Sequence, residues 1–383
     1  MYWYALKMLF RDKLKFITLL IGLTFSVLLI SQQSSIFCGL MQRFSANISN
    51  ANPPMWISDA RIKFIDDVKP LSDTDLSRVR SIDGLQWAVP YFQRLTQVQL
   101  KSGNSENVYL IGLDAHSLIG LPQNVIAGDL MQINTPDAVV VDLKGLKKLG
   151  FPDVANTRDF SKILGETFEI NDQRARIVAI VDIRAGFQSL PYVYCTYDRA
   201  LTYMPPQRKQ LSYILAKVAP GVSEKEMQRK IRKETGLAAY TQKEFIEKTT
   251  LYFLQNTGIP INFGVTVFLG VIVGAAIAAQ TFYTFVLENI RQFATMKAMG
   301  TSNGTLTRMI LLQSITVSMI GYGIGIGLMA LFGTLMVGKS ELSFWTPWPV
   351  PLIAFIAVVL VGLGASLISI FKVLRVEPAT VFR

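Results

Sequence analysis

Four runs of apolar residues, 16–40, 261–287, 309–337 and 350–373, are long enough to cross about 30 Å of hydrocarbon, which takes roughly 20 residues of helix. Between the first and second lies a polar stretch of about 220 residues, large enough for a core of its own; the other connections are short. The spacing predicts four transmembrane α-helices, one plus three, with a domain at 41–258 inserted between the first two. Ahead of the first run, residues 1–15 read as an amphipathic helix. Trp3, Leu6, Phe10 and Leu14 fall on one face and Lys7, Arg11 and Lys15 on another, with Lys13 out of place. Such a helix lies in the headgroup layer with its basic side towards anionic lipid, or else contacts a cytoplasmic partner.

The inserted stretch reads as mixed α/β. Residues 71–82 predict a helix with Ser72 and Asp73 near its start, and 96–100 and 107–113 alternate like strands around the turn Ser102-Gly103-Asn104, a hairpin. The β-branched runs 138–141 and 176–182 predict strands, with 168–170 pairing with one of them. Near the end, Ser223 with Glu226 and Thr241 with Glu244 are spaced as capping boxes, and Gly236 stops the first of those two helices. Gly258 and Pro260 then break the pattern before the second apolar run, placing a joint between domain and membrane.

Half of the 383 residues are apolar and the net charge is +11, so the position of the charge decides whether it marks nucleic-acid binding or topology. Lys7, Arg11, Lys13, Lys15, Arg291, Lys297, Arg308, Lys372, Arg375 and Arg383 flank the apolar runs on one side. Only Asp12, Glu288 and Glu377 oppose them. On the other side Lys339 and Glu341 cancel, and the inserted domain carries 27 basic and 23 acidic residues. Lys and Arg in short flanks resist translocation. Both termini, the 288–308 loop and the 374–383 tail are therefore expected in the cytoplasm, and the mixed α/β domain is extracytoplasmic. A DNA-binding stripe is disfavoured. A cleaved signal peptide in the first run would leave three spans and a C-terminus on the wrong side. Cys38 follows Phe37 where a lipoprotein signal needs a small residue, and Cys38 and Cys195 read as two unpaired thiols.

Chemistry is sparse. Residues 333–340 match the phosphate-binding P-loop pattern letter for letter, but they follow an apolar helix on the outer face instead of a buried strand. His116 stands without metal-ligand spacing, and the spans carry almost no ionisable residue, against an ion-driven carrier. No metal and no directly bound cofactor is expected. Small residues recur at helix-packing spacing at Gly270 and Gly274 and at Gly321, Gly323, Gly325 and Gly327; they serve packing within the chain or contact with a second copy. Trp345 and Trp348 with Pro347 and Pro349 suit an interfacial belt. The 288–308 loop predicts a short amphipathic helix with Ile290, Phe293, Ala294 and Met296 or Lys297 at helical spacing, stopped at Gly300.

Residues 287–306 resemble the coupling-helix segment of the MacB/FtsX-like (type VII) permeases of ABC transporters, and Lys297-Ala298-Met299-Gly300 fits its ending. The stretch Ala5-Leu-Lys-Met-Leu-Phe-Arg11 resembles the family's basic N-terminal helix, and Arg375-Val-Glu-Pro378-Ala-Thr-Val-Phe-Arg383 its tail. Ile261-Asn-Phe-Gly264 through Glu288 is similar to the DevC-like branch, which has no fused ATPase.

The resemblance implies an export permease of the bacterial inner membrane that works as a homodimer. It also implies a separate ABC ATPase that supplies ATP and Mg chemistry under the coupling helices, a membrane-fusion adaptor and a TolC-like outer-membrane duct. It assigns Glu288, Arg291, Lys297, Ala298 and Gly300 to coupling, and Gly258 and Pro260 to the joint. Rival readings are a lipoprotein-release or FtsX-like mechanotransmission subunit, and a membrane-anchored sensor that needs no ATPase. Glycolipid, peptide, lipoprotein, haem and drug fit as cargo equally well.

Overall fold

A computed structural model describes residues 2–151, 159–206, 210–336 and 342–375. The chain forms two compact units, 1–40 with 258–383, and 41–257. It begins with helix α1 (Tyr2–Arg11) and continues, after a break at Asp12, into α2 (Lys13–Phe44). The break has a local cause. The Asp12 carboxylate accepts from the Lys15 N–H (3.3 Å) and its carbonyl from the Phe16 N–H (3.0 Å), so Asp12 caps α2 instead of continuing α1.

The side of α1 that is buried differs from the stripe its large apolar residues suggest. Ala5, Met8 and Leu9 are buried, whereas Trp3 is 71% and Phe10 45% exposed. In a membrane chain the lipid-facing side is as apolar as the packed side, so the size of apolar residues does not mark the core.

Among the described residues the inserted unit is built on ten strands: β1 (Met55–Ser58), β2 (Leu85–Gln99), β3 (Ser105–Leu113), β4 (Val125–Gly128), β5 (Ala138–Asp142), β6 (Thr167–Ile170), β7 (Gln173–Val181), β8 (Tyr192–Thr196), β9 (Tyr213–Val218) and β10 (Ala238–Thr241). Their order is β10-β1-β9-β2-β3-β8-β5-β7-β4, with β6 paired to both β2 and β7. That second pairing closes a ring, β2-β3-β8-β5-β7-β6, and so removes the free edges of a small barrel. Its filling includes Val98, Val108, Leu110, Val139, Val141, Phe168, Ile170, Ile177, Val193 and Cys195. From β2 the sheet extends through β9, β1 and β10.

Among the described residues the α-helices of the unit are α3 (Ala46–Ala51), α4 (Asp73–Arg80), α5 (Tyr197–Thr202), α6 (Glu224–Thr235) and α7 (Gln242–Asn256). A second core centres on Trp56, whose ring meets Tyr91, Tyr213 and Phe245 at 5.2, 5.4 and 5.7 Å. Phe44, in the last turn of α2, stacks on Phe253 of α7 at 3.6 Å and on Phe187 at 4.5 Å.

The expected hairpin is present, with Thr96 opposite Val108 and Gln99 opposite Ser105. However, β2 runs back to Leu85, through Pro90 at a point where it pairs with β9 alone. The box at Thr241 forms: its N–H donates to Glu244 (2.8 Å) and its hydroxyl accepts from the Glu244 N–H (3.2 Å). The one expected at Ser223 does not. Ser223 starts α6 through its carbonyl, which accepts from the Met227 N–H (3.0 Å), while no side-chain cap bond is made. Ser223 and Glu226 are both exposed, so water satisfies this helix end. Gly236 ends α6 in the left-handed region at φ +76°. Both cysteines are free, and burial pushes the Cys195 thiol up.

The remaining helices are α8 (Ile259–Glu288), α9 (Ile290–Ala298), α10 (Asn303–Met336) and α11 (Pro349–Leu374). The helices α2, α8, α10 and α11 are long and apolar enough to cross a membrane, and each extends past its expected ends by one to six residues where described. Four of the six sequence-marked glycines turn inwards onto α2. A Cβ at Gly270 would lie 3.0 Å from Leu29 and one at Gly274 1.6 Å from the Ser26 hydroxyl. Added Cβ atoms at Gly321 and Gly325 would stand 3.1 and 2.7 Å from Leu23 and Val27. The Ser26 hydroxyl donates to the Gly270 carbonyl (2.8 Å), fastening α2 to α8 where the backbones approach. Gly323 and Gly327 meet nothing. On the far side, Gly362 of α11 sits against Ser318 and Ser314 of α10. Of the stretch matching the P-loop pattern, 333–336 is the last turn of α10, and 337–340 lies outside the described residues, as do Glu341 and the 376–383 tail.

Candidate coupling site

The chain leaves α8 at Glu288, bends at Asn289 (φ −93°, ψ 11°) and resumes as α9. The bend is held locally. Asn289 donates from both its backbone N–H (3.2 Å) and its side chain (2.8 Å) to the Phe285 carbonyl. Nine residues later α9 ends in a Schellman turn. The Gly300 N–H donates to the Lys297 carbonyl and the Thr301 N–H to the Met296 carbonyl, each at 3.0 Å. That geometry sets φ of Gly300 at +89°, a region a side chain reaches only with strain. Ser302 then starts α10, its hydroxyl accepting from the Thr305 N–H (3.3 Å).

The two faces of α9 are chemically distinct. Phe293, Ala294 and Met296 are buried, and Phe293 and Met296 pack with Ala5 and Met8 of α1, Phe285 and Val286 of α8, Leu306, Met309 and Ile310 of α10, and Ile370 and Val373 of α11. The outer face carries Arg291, Thr295, Ala298, Met299 and Gly300, with Met299 72% exposed. One short helix therefore adheres to four others through a shared apolar underside.

The sequence-marked residues divide between these roles. Arg291, Ala298 and Gly300 are exposed. Glu288 is exposed as well, and its carboxylate pairs with Lys15 near the start of α2; Lys15 also pairs with Asp12 (2.7 Å). The Lys15 ammonium holds the Asp12 carboxyl below the usual carboxylate range. The Lys297 ammonium donates to the carbonyl of Leu374 at the end of α11 (2.9 Å), where the helix leaves carbonyls without partners. The contributions of Lys15 and Leu374 are invisible to local sequence reading, because each is remote along the chain from the residue it meets. A third such contact is the Gln313 amide of α10, which donates to the Ala5 carbonyl of α1 (2.7 Å).

At the other marked place, α7 ends at Asn256, Thr257 is extended (φ −125°, ψ 155°) and Gly258 precedes α8 with Pro260 in its first turn. Gly258 has φ −74° and open space around it, so its conformation is one other residues share. The helical break rests on Thr257 and on Pro260, which suits a first turn because its missing N–H has no partner there in any case. His116 is exposed, and among the described residues no group of three or more His, Cys, Asp or Glu side chains is placed to hold a metal.

Comparison with known proteins adds the lineage. The MacB-like periplasmic core domain matches residues 16–234, and the FtsX-like permease C-terminal domain matches 264–378. An uncharacterised ABC transporter permease of Mycobacterium tuberculosis is 22% identical over 316 residues, covering 82% of this chain and 79% of that one. One of Mycobacterium bovis is 22% identical over 317 residues with the same shares. Among solved structures, the periplasmic region of MacB from Actinobacillus actinomycetemcomitans aligns at 19% identity and a TM-score of 0.38, covering 55% of this chain and 97% of that one. With both domains matched in order on a chain of one plus three apolar helices, this protein belongs to the MacB/FtsX-like family of ABC transporter permeases, multi-pass subunits of the inner membrane.

Proposed function

We propose that the chain is the permease subunit of an ABC export complex, taking work from a separate ATPase at α9 and passing it to the inserted domain. The observation that carries this reading is the two-faced α9. Its outer face is open to a partner, and its underside grips α1, α8, α10 and α11 together. A partner that moves α9 moves the ends of those helices with it, because a close-packed apolar contact transmits displacement. ATP and Mg act on the ATPase, and this chain supplies the docking surface: Arg291, Ala298 and Gly300 as first marked, with Thr295 and Met299 beside them. The ten basic residues against three acidic ones around the span ends support a cytoplasmic position for α9 and both termini.

On this reading the permease acts as a homodimer over two ATPase copies. The inserted domain faces the periplasm and hands cargo to a membrane-fusion adaptor and a TolC-like duct. Reversing the charge at Arg291 tests the docking step without touching the buried underside. Arg291→Glu is expected to lower ATPase retention on the detergent-purified permease by about tenfold or more, the scale set by unpairing an interfacial charge, with the permease still folded. Retention equal to that of the unaltered chain would remove α9 from the interface.

A further inference from the structure

Helix α9 is joined through the backbone only to α8, by Asn289, and to α10, by the Gly300–Ser302 turn. Two side-chain contacts reach further. Glu288, immediately before the bend, pairs with Lys15 in the first turn of α2, and Lys297, in the last turn of α9, donates to the final carbonyl of α11. The first lies at the end of α8, one residue before the bend that leads into α9, and the second in the last turn of α9. The first ties the end of α8 to α2, and the second ties α9 to α11, against which its apolar underside also packs.

We propose that Lys15–Glu288 and Lys297–Leu374 are straps: positioning contacts that fix the orientation of α9 against α2 and α11, so that a displacement of α9 is delivered to all four spans together. What displaces α9 rests on the ATPase reading given above; the straps themselves are internal to this chain.

The division of labour follows from the chemistry. The apolar underside of α9 supplies adhesion, which is non-directional. The straps supply direction, because an ammonium bonded to a carboxylate or a helix-end carbonyl fixes a distance. Asp12 completes the first strap. It caps α2 and pairs with Lys15, whose side chain is only 18% exposed, so the ammonium is held facing Glu288 instead of sampling solvent. Glu288, although its side chain is 55% exposed, is thus assigned to holding the end of α8 against α2.

A charge-swap cycle on the full chain tests the proposal. Lys15→Glu and Glu288→Lys are made singly and together, and Lys297→Met, which keeps the stem and removes the donor, is compared with Lys297→Arg. Two readouts are taken: amide hydrogen exchange across 290–298 in the detergent-purified chain alone, and ATP turnover with the ATPase that co-purifies with the unaltered chain. The straps predict that each single swap, and Lys297→Met, raises exchange in α9 at least about fivefold and lowers turnover to a similar extent. The ATPase stays bound, the double swap restores both readouts in part, because it sets a carboxylate at position 15 beside Asp12, and Lys297→Arg resembles the unaltered chain. Unchanged exchange in the single swaps, or a folded double swap that restores neither readout, would overturn the straps. Failure of the partner reading shows separately, as an unaltered chain that retains no ATPase while the exchange pattern still follows the cycle.

Discussion

Asp142 is a carboxylate 3% exposed at the end of β5, and it accepts from the backbone N–H of Gly145 (2.8 Å) and of Tyr192 (2.7 Å). It thereby pins the turn after β5 to the start of β8, two neighbouring strands of the ring that closes the barrel. Burial raises its pKa to about 6, against the lowering effect of those two donors and of Lys144. The folded state therefore binds this proton more tightly than the unfolded state does. The contribution of Asp142 to stability is greatest below about pH 4 and is lost as pH rises through about 6. Asp142→Asn keeps one acceptor and turns an amide N–H towards the other donor, which costs about 1–3 kcal/mol at neutral pH, and it removes the dependence between pH 4 and 6. Hydrogen exchange of the β5 and β8 amides in the full chain, corrected for the intrinsic rate, measures both effects. A variant with the same pH slope as the unaltered chain would show that another group titrates there.

Among the elements, the glycines of the spans show what close packing demands. Gly274→Ala puts a methyl 1.6 Å from the Ser26 hydroxyl. It must push aside the side chain that bonds to Gly270, at a cost of about 1–3 kcal/mol. Gly323→Ala enters open space and is expected within about 0.5 kcal/mol of the unaltered chain. Thermal unfolding in one detergent compares them, and equal midpoints would contradict the packing of α2 on α8. From sequence, spacing selects Gly270, Gly274, Gly321 and Gly325 together with Gly323 and Gly327. Only structure divides those facing α2 from those that do not.

The same limit explains which elements were legible. Apolar runs of 20 residues or so have few alternative readings, and the β2–β3 hairpin announces itself by alternation around Ser102-Gly103-Asn104. Strands β1, β8 and β9 carry no such signal. Met55–Ser58 is buried throughout, as are four of the five residues of β8 and the first four of β9, and a strand covered on both faces loses its alternation. In the coupling region the outer face and the Gly300 stop follow from local pattern. The partners of Glu288 and Lys297 do not, because a contact between remote residues leaves no local period.

On the scale of the whole molecule, the chain enters its inserted domain along one unbroken helix, α2, whose residues up to Leu40 belong to the bundle and whose last turn belongs to the domain. It returns through the interruption at Thr257 and Gly258 before α8 begins. On the proposed reading, in which the chain takes work at α9 and acts in the 41–257 unit, helices must carry displacement and the fold must stay intact while displaced. The closed ring of strands meets the second need, and the aromatic stack of Phe44 on Phe253 seats the last turn of α2 within the same unit. The most direct test of the central claim is extraction from the native membrane in mild detergent, with mass spectrometry giving the identity and stoichiometry of what remains bound. The account predicts a soluble ABC ATPase at one copy per permease chain, accompanied by a periplasmic adaptor. A permease recovered intact with no ATPase would contradict it.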